Sequence, residues 1–144
     1  MRKAVNALKI TAALFAAALI ALAIYALPKR LAFSGGDSYT FFVGNTSKNC
    51  RVVTTDGHGA LLKRLTLSDV CGESATYSSL DWESYLEKVN GKILFCEQLS
   101  DSVNYYCTAD MPYSIELYGQ TVNLHICVKE GSVTIATPII FGGY

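Results

Sequence analysis

Between Lys9 and Lys29 lie 19 residues without a charge, Ile10 to Pro28. That run limits the chain more than any other feature. As a helix rising about 1.5 Å per residue it spans roughly 28 Å, close to the hydrocarbon thickness of a bilayer. Two processing fates compete for it. The basic start (Arg2, Lys3, Lys9) suits a retained signal anchor and a cleaved signal peptide alike. Ala21-Leu22-Ala23 offers a small-x-small cleavage site. The run is longer than a typical signal-peptide core and stays apolar through Ile24, Tyr25 and Leu27, which favours retention. Tyr25 and the Lys29-Arg30 pair suit one membrane interface. Eight alanines keep the run only moderately hydrophobic. The flanking charges favour a tail inside and a domain outside.

The remaining length allows one globular domain. The expected organisation is a basic tail (1–9), a membrane-spanning segment (10–28), a short flexible linker (29–37) and an α+β domain (38–144). The net charge of zero hides an asymmetry: from Leu31 onward there are seven Lys/Arg and 12 Asp/Glu, so the domain carries about −5. A surface of that sign, without a basic stripe, is a poor match for nucleic acid or anionic lipid.

Patterning supplies the elements. Tyr39–Val43 and Cys50–Thr55 are β-rich runs around turn residues and read as a hairpin with a long loop. Asn45-Thr46-Ser47 fits a glycosylation pattern, which matters only in a eukaryotic secretory pathway that nothing else in the chain suggests. Residues 60–77 fit a helix turn and an alternating strand equally. Trp82, Tyr85, Leu86 and Val89 recur at helical spacing and predict a helix over Asp81–Asn90. Ser78 or Ser79 is its expected cap and Gly91 its left-handed stop.

After the helix the period becomes two. Lys92–Gln98 and Val103–Thr108 read as paired strands. A turn at Gly119-Gln120 would set Leu117 opposite Val122, Ile115 opposite Leu124 and Ser114 opposite His125. A turn at Glu130-Gly131 pairs Val128 with Val133 and Ile126 with Ile135. All eight apolar residues then share one face, and the Trp82 helix covers it. The expected fold is therefore α+β: a curved antiparallel sheet with a helix on one face.

The opposite face collects polar residues. Tyr118, Asn123 and His125 form its candidate binding site for a protein or peptide. Ser114, His125 and Glu116 invite a hydrolase reading, but no nucleophile elbow or oxyanion loop accompanies them. Cys127 stands two residues from His125, roughly 6–7 Å along one strand, too far for a direct thiol–imidazole pair. The alternative to a binding module is thus an envelope enzyme using Ser114/His125 or Cys127. The five cysteines (50, 71, 96, 107, 127) lack CxxC spacing and imply no metal site. Cys96 and Cys107 are the candidates for a bridge across one hairpin. No cofactor motif is present.

With Val122–Val128 and Thr137-Pro138-Ile139-Ile140 in view, the last 50 or so residues resemble the YwmB-like family of sporulating Gram-positive bacteria. More generally, the chain is similar to short membrane-anchored proteins of clostridia. The resemblance implies an anchor or signal segment and a fold related to the TATA-binding protein. It implies no catalytic residues, and the acidic charge argues against DNA as a ligand.

Overall fold

The computed structural model describes residues 2–45 and 49–141, and of 2–5 and 7 the backbone alone. The glycosylation pattern at Asn45-Thr46-Ser47 extends outside the described residues. The chain divides into two compact units, Met1–Arg30 and Leu31–Tyr144.

The first unit is helix α1 (Arg2–Ala26), followed by a 3-10 turn over Leu27–Lys29 with Pro28 near its start. Within the 22 residues Leu8–Lys29 an 18-residue window reaches a mean hydropathy of 2.4, so the helix is long and apolar enough to cross a membrane. A signal sequence meets the same description. Lys29 Nζ lies 3.9 Å from the centroid of the Tyr25 ring, a cation–π pairing at the end of the apolar run.

The second unit is an antiparallel sheet with two short helices. Its elements are β1 (Ser38–Val43), β2 (Arg51–Asp56), α2 (Ala60–Thr66), β3 (Val70–Tyr77), α3 (Trp82–Lys88), β4 (Lys92–Gln98), β5 (Ser102–Thr108), β6 (Ile115–Leu117), β7 (Gln120–Val122), β8 (Leu124–Lys129) and β9 (Ser132–Thr137). Seven strands form one sheet in the order β2-β1-β3-β9-β8-β5-β4, and β6-β7 form a separate hairpin. The ambiguous 60–77 stretch holds a helix and a strand in succession.

The expected pairs Val128 with Val133 and Ile126 with Ile135 are present. Register carries the apolar face across the sheet through Phe41, Ala75, Ile135, Ile126 and Cys107, each fully or almost fully buried. Helix α3 lies on this face: the Trp82 ring stacks on Tyr105 at 4.5 Å, and Leu86 enters the core. Burying a side chain such as Ile126 contributes about 1.5–3 kcal/mol.

Three local expectations need correction. Asp81, not Ser78 or Ser79, caps α3, accepting the Ser84 amide hydrogen at 3.1 Å. The left-handed residue after α3 is Asn90 (φ 53) rather than Gly91. Gly91 is needed for space, since a Cβ there would come within 2.1 Å of Leu86 Cδ1. The flexible linker proves to be an ordered part of the domain from Leu31 onward. Phe33 is buried, and Glu73 Oε1 accepts the backbone N–H groups of Ala32 (3.0 Å) and Phe33 (3.3 Å). Tyr77 donates to Ser34 O at 3.0 Å. The Gly-rich composition suggested freedom, but buried polar partners on β3 hold the backbone.

The other face of the sheet is partly covered by residues that follow β9. After β9, residues 138–141 turn back as a strap. Ile140 N–H donates to His125 Nδ1 at 3.2 Å, and the Phe141 ring meets Phe42 edge-on at 4.9 Å. Gly72 makes room for this strap, because a Cβ there would sit 3.0 Å from Phe141 Cε2 and 3.2 Å from Thr137 O.

Candidate functional site: an aromatic groove beside an edge strand

The register of the hairpin that precedes β8 decides which polar residues meet. Tyr118 (φ 51) and Gly119 (φ 74) are both left-handed, as a type I′ turn requires. The turn therefore lies one residue earlier than Gly119-Gln120 would place it. Leu117 faces Gln120 and Ile115 faces Val122. The chain then leaves the hairpin at Asn123, whose side-chain amide replaces a ladder step. Asn123 Oδ1 accepts the Ala109 N–H and Nδ2 donates to Ala109 O, both at 2.6 Å. From Leu124 the strand pairs with β5 and β9 instead.

This arrangement breaks up the expected polar triad. His125 is flanked by Tyr106 and Ala136, so Ser114 is not its cross-strand neighbour. His125 is completely buried. Its ring stacks on Tyr106 at 4.5 Å. Because Nδ1 accepts from Ile140, the proton belongs on Nε2, which donates to Asn104 Oδ1 at 3.0 Å. Burial depresses its pKa to about 4, so the imidazole is neutral at physiological pH. Asn104 Nδ2 is buried and finds no partner among the described residues. Cys127 is buried too, and desolvation raises its thiol pKa. A buried, protonated thiol is a poor nucleophile. His125 thus holds the strap rather than facing solvent, and Asn123 locks two loops together. Of the expected binding residues, Tyr118 alone is left open, at 91% exposure.

Tyr118 belongs to a different constellation. Its ring meets Phe95 edge-on at 5.7 Å, Phe95 stacks on Tyr106 at 4.6 Å, and Tyr106 stacks on His125. The rings run in series from the hairpin tip to the buried histidine. They line a groove of about 440 Å³ together with Cys96, Glu97, Leu117 and Ile139. Tyr106 donates to Glu97 Oε2 at 3.4 Å across its floor. Among the described residues the groove has one carboxylate and no basic side chain. Thr121 donates to Glu116 on the neighbouring hairpin.

Sequence reasoning missed Phe95, Tyr106, Leu117 and Ile139. The alternation of β4 and β5 places Phe95 and Tyr106 on one face, which is a legible signal. Ile139 arrives only through the fold-back of the strap, which no periodicity announces.

A second polar cluster lies under the helices. Burial raises the pKa of Glu73, while the Ala32 and Phe33 amides and the charge of Arg64 oppose the rise. Arg64 donates through Nη2 to the Tyr113 hydroxyl at 3.2 Å, and its Nε has no partner among the described residues. This cluster anchors the backbone at Ala32 and Phe33, with Glu73 and Arg64 buried and Tyr113 partly exposed. Cys96 pairs with Tyr105 and Cys107 with Ile93, one thiol exposed and the other buried, so they are not placed to bridge. All five cysteines are free. No group of three potential metal ligands occurs among the described residues.

No family model matches this chain, and neither a curated protein nor a solved structure matches it.

Proposed function

We propose that the chain is a non-enzymatic, membrane-tethered module at the cell envelope, with its α+β domain outside the cytoplasmic membrane, where it binds a protein or peptide. The observation that carries this reading is the groove under Tyr118. A large aromatic side chain standing almost fully in solvent at a hairpin tip, beside two further rings, has the composition of a recognition surface rather than of a core. The apolar run of α1 supplies the tether, and the weak excess of positive charge on the short tail favours the domain outside. The burial of His125 and Cys127 in hydrogen-bonded or apolar surroundings leaves the Ser114/His125 and Cys127 alternatives without an accessible imidazole or thiol of their own.

The test is photo-crosslinking in intact cells, with a photoreactive residue at position 117 or, as control, at position 83. A discrete adduct from position 117, absent from position 83 and lost with Tyr118→Ala, is expected. Equal adducts from both positions, or an adduct indifferent to Tyr118→Ala, would remove the groove as the site. Protection of a C-terminal tag from external protease in cells would place the domain in the cytoplasm instead.

A further inference from the structure

We propose that the groove receives its ligand by strand addition. An extended segment of a partner protein pairs with the free edge of β4 and sets an apolar side chain against Phe95 and Tyr118, with a Lys or Arg two residues away at Glu97. This inference rests on the groove reading above and goes further by naming the backbone geometry and side-chain chemistry of the ligand.

The argument starts from the edge. β4 ends the seven-strand order, so one row of its backbone N–H and C=O groups has no strand partner among the described residues. Such a row is a template for an added strand unless it is blunted. A bulge between Ile93 and Phe95 and the charge of Lys92 blunt the first half of β4. The second half is regular: Phe95, Cys96, Glu97 and Gln98 pair in step with Tyr106, Tyr105, Asn104 and Val103. The usable edge is therefore four residues long, and the groove opens beside this same stretch.

Side-chain period then specifies the ligand. Phe95 and Glu97 are two apart and project to the same face of the strand. A strand added beside them presents its own side chains at the same spacing on that face, whichever way it runs. The residue beside Phe95 enters an aromatic groove, where an apolar side chain gains most. The residue beside Glu97 meets a carboxylate in a groove without basic residues, which suits a cation. The second groove of this face differs, being lined by Lys129 and no carboxylate. The domain's charge of about −5 adds long-range attraction for a basic segment.

The test uses the full chain in lipid nanodiscs and a fluorescent eight-residue peptide, with one leucine and one lysine two positions apart in a threonine background. Binding is read by anisotropy. Saturable binding is expected. Tyr118→Ala should weaken it about fivefold or more, as truncating an interface aromatic does. Glu97→Gln should weaken it about threefold, in line with an exposed ion pair. Two further peptides are N-methylated on alternate backbone nitrogens, one set facing β4 and the other facing away. One should lose about tenfold, for its missing hydrogen bonds, and the other should bind like the parent. If both methylated peptides bind like the parent, strand addition is wrong while the groove reading survives. If the parent shows no saturable binding, the strand-addition proposal fails, and the crosslinking experiment decides the groove separately. Binding unchanged by Tyr118→Ala would sink both.

Discussion

The two faces of the sheet are buried by different means. The face under α3 is mainly apolar, from Phe41 and Ala75 through Ile135 and Ile126 to Cys107, with buried Glu73 beside Phe41 as its bonded polar exception. The opposite face places Ser74, Asn104, His125 and Cys127 in the interior, under a strap of four residues. Burial of polar groups without partners is unfavourable. This face is therefore tied to directional bonds: His125 to Asn104, Ile140 to His125, and Thr76 to Thr134 at 3.0 Å. One face is held mainly by area, with Glu73 bonded at one side, and the other mainly by pairing. The second should consequently be the more sensitive to pH and the first to open.

Thiol chemistry can break that comparison most visibly. Cys107 lies on the helix-covered face, Cys127 on the strapped face, and the other three thiols are exposed. Alkylation of the native protein should label Cys50, Cys71 and Cys96, with Cys71 slowed because partial burial raises its pKa. The two buried thiols should react on the order of a thousandfold more slowly, through opening events. Burial pushes the Cys107 thiol up to about 12. Mass spectrometry should find Cys127 labelled before Cys107. The reverse order would show that the strapped face is the tighter one.

Denaturation of the full chain in detergent gives the next largest effect. Phe41→Ala removes a fully buried ring from the helix-covered face and should destabilise the domain by about 3–5 kcal/mol at any pH between 4 and 8. A loss under about 1 kcal/mol would mean that the apolar face is loosely packed.

The strapped face should respond to acid. The folded His125 has a pKa of about 4, below its ordinary 6.5. Between those values the unfolded chain binds a proton that the folded one refuses. Stability contributed this way is complete above pH 6.5 and is lost as pH falls toward 4, on the order of 3 kcal/mol. Glu73, on the helix-covered face, works in the opposite sense. Its raised pKa means that folding is favoured as the carboxyl takes up its proton, so its contribution weakens as pH rises above 4.5. His125→Leu isolates the histidine: it should cost about 2 kcal/mol at pH 7, by orphaning the Asn104 and Ile140 groups. It should also flatten the slope between pH 4 and 6.5. A slope unchanged by His125→Leu would assign the acid sensitivity elsewhere.

The smallest effect is at the hairpin tip. Tyr118 is left-handed at φ 51, where asparagine is more at ease. Tyr118→Asn should leave stability unchanged or raise it by about 0.5 kcal/mol, while weakening ligand binding about fivefold or more. Clear destabilisation would mean that the exposed ring serves the fold rather than recognition.

These contrasts separate what composition and period determine from what tertiary contact decides. The apolar run at 10–28, the helix carrying Trp82, and the pairing of Ile126 with Ile135 and Val128 with Val133 were all legible in the sequence. Each rests on a local period or on a turn only two residues long. The covering of the second face was not legible. Alternation says which residues share a face, but not whether that face meets water. His125 and Asn123 both read as surface groups because they are polar. Their roles depend on Ile140 and Ala109, 15 and 14 residues away. The 31–36 segment likewise reads as a linker from its glycines, until Glu73 some 40 residues later accepts its amides. By itself the sequence determined the membrane-length helix, the α+β class and the core strands, because local spacing encodes them. Tertiary structure alone decided which polar residues are interior and where the aromatic groove opens. Both depend on hydrogen bonds and ring contacts between segments far apart in the chain.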